Sequence, residues 1–239
     1  MKHILIGIIV LFMVPMTVSG QASGYAWGIQ GGPSFVRQNW ESRSRSVAVQ
    51  YHADLYIDSY NEGDPNSLYA SIGYHVRGSA DKRNFYILNG NWTSFAPNKY
   101  LFYNISAELG VKKRVLNDNR WNPYYGFGLR AEYTIKTNLN VYNDLNDQFL
   151  VPVYASDVFV RPFNYGISFV GGMEFPLAEL YEGFASVRIS QDFSRQYYQP
   201  AIPGVITDQY GNMRSLGEIN ARNTSIELSV GIRIFRIRE

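Results

Sequence analysis

The sequence predicts an all-β fold: an eight-stranded antiparallel up-and-down transmembrane β-barrel, with long extracellular loops at one rim and short periplasmic turns at the other. Three observations predict it. Apolar residues alternate with period two through eight segments of about membrane-spanning length. The connections between those segments alternate between short and long. The other face of the strands mixes glycine with charges of both signs, which fits a narrow interior filled by side chains.

The chain opens on a processing signal. Lys2 and His3 precede the apolar run Ile4–Val14, too short for a membrane helix, and Val18-Ser19-Gly20 supplies the small residues of a cleavage site. Residues 1–20 are therefore expected to be a signal peptide and residues 21–239 a single barrel domain. The first strand, Tyr25–Val36, sets Tyr25, Trp27 and Ile29 against Ala26, Gly28, Gln30 and Gly32. The second, Ser46–Asp58, alternates most cleanly, with Val47, Val49, Tyr51, Leu55 and Ile57 opposite Gln50, His52, Asp54 and Asp58. In the third, Ser67–Gly78, Leu68, Ile72, Tyr74 and Val76 oppose Tyr69, Gly73, His75 and Arg77. The fourth, Tyr100–Lys112, sets Tyr103, Ile105, Leu109 and Val111 against Asn104, Ser106, Glu108 and Gly110. The fifth, Tyr124–Lys136, sets Tyr125, Phe127, Leu129 and Tyr133 against Gly126, Gly128, Arg130 and Glu132. The sixth, Phe163–Phe175, sets Tyr165, Ile167, Phe169 and Met173 against Asn164, Gly166, Ser168 and Glu174. The seventh, Phe184–Phe193, is weaker, with Val187 and Ile189 against Arg188 and Asp192. In the eighth, from Ser225, Ile226, Leu228, Val230, Ile232 and Ile234 oppose Glu227, Ser229, Gly231 and Arg233. No helix and no domain linker is expected.

The segments Ser59–Asn66, Lys113–Pro123 and Pro176–Gly183 are short and rich in turn formers, whereas Ser79–Lys99, Thr137–Pro162 and Ser194–Asn223 are long. Composition narrows the function classes. A net charge of +2 gives no basic surface for nucleic acid, and the absence of Cys removes disulfides, thiolate metal sites and a cysteine nucleophile. Aromatic residues reach 15%, led by Tyr, and those near the ends of the apolar rows suit girdles at a membrane interface.

Which face is inside decides the environment. A soluble, lipocalin-like carrier would turn the apolar rows inward. The alternative puts those rows in lipid and makes a lumenal polar network of His52, Asp54, His75, Arg77, Glu108, Arg130, Glu132, Glu174, Arg188, Asp192, Glu227 and Arg233. Balanced signs beside nine glycines of that face, among them Gly28, Gly73, Gly128 and Gly231, favour the lumen.

Residues Gly28–Phe35 ("GIQGGPSF"), Tyr124–Tyr133 ("YYGFGLRAEY") and the alternating last strand resemble the small outer-membrane β-barrel superfamily of OmpA and OmpX, and within it the PorT-like group. The resemblance covers most of Tyr25–Glu239 and is one of pattern. It implies a bacterial outer-membrane location, outer-membrane lipid as the surrounding partner, and neighbouring outer-membrane or extracellular proteins as further partners. By the link of PorT-like proteins with secretion, it also implies an accessory role in a secretion or transport complex.

No residue set demands catalysis, a metal or a cofactor. His52 and His75, the two histidines after residue 20, are expected to lie diagonally on the lumenal face near Asp54, as hydrogen-bonded lumen residues rather than a metal or acid–base pair. An outer-membrane hydrolase, acyltransferase or ligand-binding barrel using lumen or rim residues is the competing function. Asp144, Asn146 and Asp147 lack the remainder of a calcium loop. Eight strands enclose side chains rather than a solute path. Recognition is expected in the long loops, where Trp92, Phe95, Tyr142, Phe149, Tyr154, Tyr197 and Tyr198 offer aromatic contacts or pack together as a lid.

Overall fold

The structure, a computed structural model, describes residues 24–40, 45–60, 64–81, 85–88, 91–94, 98–115, 121–142, 155–178, 180–207 and 213–237. The segment expected to be a signal peptide lies outside them. Eight long strands carry the fold: β1 (Gly24–Trp40), β2 (Ala48–Tyr60), β3 (Asn66–Asp81), β4 (Lys99–Arg114), β5 (Asn122–Thr137), β6 (Phe163–Ala178), β7 (Tyr181–Asp192) and β8 (Ile219–Ile237). Each pairs antiparallel with the next. β8 also pairs with β1, from Gly24↔Ile237 to Trp40↔Ala221, so the sheet closes on itself. These are the eight strands expected from the alternation, several of them longer than expected at the long-loop rim.

The two rims differ as their connections do. Segments 61–65, 115–121 and 179–180 join strands at the rim that also holds Gly24 and Ile237. Segments 82–98, 138–162 and 193–218 join them at the other. The long connections contain more structure than their sequence suggests. Phe85–Leu88 pairs with Asn91–Ser94, and Ile202–Thr207 pairs with Met213–Leu216. Tyr197–Gln199 adds to the upper end of β8, and Asp157–Phe159 forms a single 3-10 turn. Arg45–Ser46 pairs with the end of β3. Such pieces are too short for a two-residue period to reveal.

The two faces are inverted relative to a water-soluble protein. The outward Ile29, Leu55, Leu129 and Val230 are 58, 60, 61 and 69% exposed, while the inward Arg77, Glu132 and Glu227 are at 0–1%. Apolar area costs about 25 cal/mol per Å² in water, so rows of this kind belong in hydrocarbon. The soluble-carrier reading, which needs the apolar rows inside, is corrected by this orientation. A closed barrel with an apolar exterior satisfies its backbone polar groups around the ring and so can cross a bilayer; this is the architecture of bacterial outer-membrane barrels. No helix among the described residues is long and apolar enough to do so.

Aromatic side chains edge the apolar wall. Toward the long-loop rim, Tyr51, Tyr74 and Tyr103 follow one another at 6.2 and 6.4 Å between ring centres, and Tyr133 is paired with Phe163. Toward the short-turn rim stand Trp27, Tyr125 and Tyr181, with Trp121 5.1 Å from Phe175. On β5 the two belts are marked by Tyr125 and Tyr133, eight residues apart. At about 3.4 Å per residue and a tilt of about 40°, that separation spans about 21 Å, close to the ~25 Å apolar band of such barrels.

Leu129 lies midway between those belts. Leu129→Lys is expected to lower folding stability in lipid vesicles by about 2–4 kcal/mol, measured by urea unfolding. A neutral outcome, normal for a residue exposed to water, would place this wall outside the bilayer.

Candidate functional site

The interior is filled in layers, each supplied by inward positions of several strands. Next to the short-turn rim, three cations meet three carboxylates. Glu174 accepts from Lys112 at 3.0 Å and from Arg114 at 3.0 Å. Asp58 accepts from Arg114 at 2.7 Å and is also bound by Lys112. Arg233 closes the group by pairing with Asp58 at 3.2 Å, with Glu174 at 2.7 Å, and with Glu182.

Above it lies an aromatic layer of Tyr56, Tyr69, Tyr124 and Phe184. Glycine on the neighbouring strands makes room for these rings: a Cβ on Gly110 or Gly128 would fall 2.5 or 2.6 Å from Tyr69, and one on Gly231 would fall 2.4 Å from Phe184. A cavity of about 30 Å³ beside these rings, lined also by Gln30, Lys112 and Arg188, has room for about one water molecule.

The central layer holds five carboxylates, three guanidinium groups and both lumenal histidines. Arg77 donates to Glu132 at 2.7 Å and to Ser225 at 2.7 Å, and binds Glu227. Arg188 reaches Asp54 and Glu227 at 3.4 Å each and lies 3.7 Å from Glu108. Arg130 lies 3.2 Å from Glu132 and binds Asp192. Tyr69 donates to Glu108 at 2.5 Å. His75 faces Asp54 at 2.7 Å and Glu227 at 3.1 Å, one carboxylate on each ring nitrogen. His52 stacks on His75 at 5.4 Å, its ring nitrogens hydrogen-bonded to Ser34 at 2.9 Å and Ser229 at 2.8 Å. The two histidines are directly opposed in register, His52↔His75, rather than diagonal as expected, because the ladder between β2 and β3 begins at Asp58↔Tyr69, two residues further along β3 than a Ser59–Asn66 turn would set it.

Over the charges sits a layer of amides and hydroxyls, organised by Gln196, a fully buried residue of the loop after β7. Its Nε2 donates to Asn104 at 3.2 Å and Thr134 at 3.1 Å, and its Oε1 accepts from Gln38 at 3.2 Å and Asn223 at 2.8 Å. Above the amides an apolar lid closes the mouth: Trp40, Tyr100, Phe102, Leu139, Tyr142, Tyr197 and Ile219, with Phe159 and Val160 packed against them. Trp40 lies 5.0 Å from Tyr197, and Tyr100 stacks on Tyr142 at 4.9 Å. Arg45 covers Tyr100 at 4.1 Å and binds Asp81.

All twelve residues assigned to the lumen from the alternation are buried inside the barrel, none more than 5% exposed. Sequence reasoning left out Asp58, Lys112, Arg114 and Glu182 from the short-turn layer. Asp58 and Lys112 continue the inward parity of their strands, whereas Arg114 and Glu182 lie within Lys113–Pro123 and Pro176–Gly183, where turn formers obscure it. Of the two roles expected for the loop aromatics, interaction or a lid, two residues take the second. Tyr142 and Tyr197, proposed as interaction residues, are 8 and 0% exposed because they build the lid. Tyr198 is half-buried, with Arg161 4.6 Å and Arg195 5.3 Å from its ring. Phe95, Phe149 and Tyr154, the side chain of Trp92, and the 144–147 acidic group lie outside what the structure describes.

No protein-family model matches the chain, and no curated protein matches it. Among solved structures it is similar to neisserial surface protein A, at 13% identity and a TM-score of 0.48 over 89% of this chain and 97% of that one. It is similar to the outer membrane protein OprG from Pseudomonas aeruginosa, at 10% and 0.49 over 90% and 98%. It is also similar to outer membrane protein W of E. coli, at 12% and 0.36 over 90% and 100%. The likeness is one of fold; the barrel itself stands on this chain's own strand pairing.

Two substitutions test the interior. Glu227→Ala leaves Arg77, Arg188 and His75 without their shared carboxylate and is expected to cost about 3–5 kcal/mol of stability in urea unfolding from vesicles. Gln196→Ala strands four polar partners and is expected to cost about 1–3 kcal/mol, with faster protease cleavage in the 193–218 loop while the barrel stays folded.

Proposed function

We propose that this protein is an outer-membrane structural or accessory barrel, acting by interaction through its outer wall and loops rather than by conducting a solute. The observation that carries this reading is a lumen that the described residues fill in successive layers. Among the described residues, charged, aromatic, charged and amide layers succeed one another beneath an apolar lid, with a cavity of about 30 Å³ beside the aromatic layer. Recognition then falls to surfaces that face lipid, a neighbouring protein or the medium. The PorT-like resemblance of the sequence supports placing the protein beside a secretion or transport assembly of the outer membrane, as an accessory subunit.

Two measurements test the reading. Purified protein in planar bilayers is expected to give no stepwise conductance; reproducible open-channel steps would overturn the interaction reading in favour of a pore. Native-gel analysis of mildly solubilised membranes, after in-cell crosslinking, is expected to show the protein in an assembly larger than its own mass. Migration as a lone barrel under both conditions would remove the accessory role and leave only the structural one.

A further inference from the structure

Above the lipid-facing belt, one side of the barrel continues upward as a wall. It is made of the end of β1, the start of β8, Tyr197–Gln199 alongside it, and the chain at Val160, which bridges to Tyr197. The alternation persists through this wall. Gln38, Trp40, Tyr197 and Ala221 point inward and are buried, and Val160 packs against the lid. Their neighbours Arg37, Arg222 and Arg161 therefore point outward, and all three are exposed. Arg195 joins them through Tyr198, whose ring centre is 5.3 Å from Arg195 and 4.6 Å from Arg161.

The height of these arginines is set by the strands. Arg37 comes one outward position above Phe35, and Arg161 one outward position beyond Phe163; both aromatic residues are exposed on the lipid-facing wall. One outward step is two residues, or about 7 Å along a strand. Arg37 pairs with Thr224 and Asn39 with Arg222, so Arg37 and Arg222 are diagonal neighbours on the same outer surface. The described acids near this surface are Glu218, 3.2 Å from Arg195, and Asp157 on the adjoining turn. Four guanidinium groups against two carboxylates leave a cationic surface at the level where an apolar wall meets water. Just beyond the end of β1 the comparable Arg45 is instead turned in, against Asp81, Tyr100 and Trp40.

We infer that Arg37, Arg161, Arg195 and Arg222 form a docking surface for the phosphate groups of an anionic lipid, specifically a phosphorylated glycolipid of the leaflet at the long-loop rim. The planar guanidinium fork matches phosphate geometry with two parallel hydrogen bonds. Tyr198, with the Arg161 and Arg195 guanidinium groups 4.6 and 5.3 Å from its ring, holds those two heads near one another. The wall's apolar base lies in the acyl region while its cationic top lies among headgroups, so one lipid can satisfy both. The inference rests on the reading that the barrel is embedded in an outer membrane with its long loops outward.

The test uses the full-length mature protein, refolded into phosphatidylcholine vesicles containing or lacking diphosphorylated lipid A, with binding read by co-isolation of lipid A in native mass spectrometry. Each arginine near a charged headgroup is expected to contribute roughly a fivefold factor in affinity. Arg37→Gln with Arg222→Gln is therefore expected to weaken retention of lipid A about 25-fold. Lys113→Gln, at the opposite rim, is expected to leave it unchanged, as is replacement of lipid A by its dephosphorylated form in the double variant. If the native protein inserts but the double variant retains lipid A as well as the native chain does, the docking surface is wrong while the membrane reading stands. If the double variant loses binding only to a soluble sulfated oligosaccharide, the surface serves a glycan rather than a lipid and the inference is overturned. Failure of the native chain to insert would overturn both. Heat-dependent gel migration of each variant confirms that loss of lipid is not loss of fold.

Discussion

Every inward charge of this barrel has to meet its counter-charge across the lumen, and most of the structure follows from that requirement. Eight strands enclose an interior wide enough for side chains and too narrow for a column of water. An ion placed there without a partner loses several kcal/mol of hydration. The short-turn layer answers with three cations and three carboxylates, joined so that Asp58 and Glu174 each serve more than one cation. The central layer answers less evenly, with five carboxylates and three guanidinium groups, and His75 placed between two of the carboxylates. The same requirement specifies register. A slip of one residue on β3 would carry His75 and Arg77 into lipid and bring Tyr74 and Val76 inside, breaking the network and the apolar wall together.

Partners on opposite walls can meet only if the space between them is neither blocked nor empty. The glycines and the rings settle this jointly. Tyr69 extends over Gly110 and Gly128, which brings its hydroxyl to Glu108. Phe184 lies over Gly231, and Tyr124 over Gly172. Gly73 lies against Asp54, where a Cβ would meet the carboxylate at 1.9 Å, so the residue that binds His75 keeps its position only because β3 is bare there. Small residues in the lumen are therefore the complement of particular large ones.

This explains what could be read in the sequence and what could not. Lipid and lumen differ so strongly that parity alone placed His52, Arg77, Glu132 and Arg233 inside and Leu55, Leu129 and Val230 outside. Apolar residues that face inward, such as Phe184 and Val170, break that contrast, because their environment is a ring-packed layer that a hydropathy pattern does not distinguish from lipid. Near the turns, too few alternations remain to assign Arg114 or Glu182 to a face. The opposition of His52 and His75 depends on turn length, which composition gives only approximately. The burial of Tyr142 and Tyr197 depends on contacts between segments distant in sequence: Tyr142 stacks on Tyr100 and Tyr197 packs on Trp40, partners that no local window contains.

The lid shows why the interior changes character along its height. Within the bilayer the exterior is apolar, and the interior can be polar because its groups satisfy one another. Above the bilayer the surroundings are water, the hydrophobic effect acts inward, and an apolar cluster becomes the stable filling. The protein thus has two cores of opposite polarity on one continuous set of strands: Arg77, Glu132 and Glu227 below, Trp40, Tyr100 and Tyr197 above. A direct junction would leave carboxylates against aromatic faces, a costly contact for an unpaired anion. Gln38, Asn104, Gln196 and Asn223 separate the two. Their amides carry both donors and acceptors, so they can pair with charged groups beneath, as Asn223 does with Asp192 at 2.8 Å, and with one another across the mouth. Because Gln196 comes from the loop after β7 rather than from a barrel strand, the placing of that segment and the sealing of the lumen depend on the same hydrogen bonds.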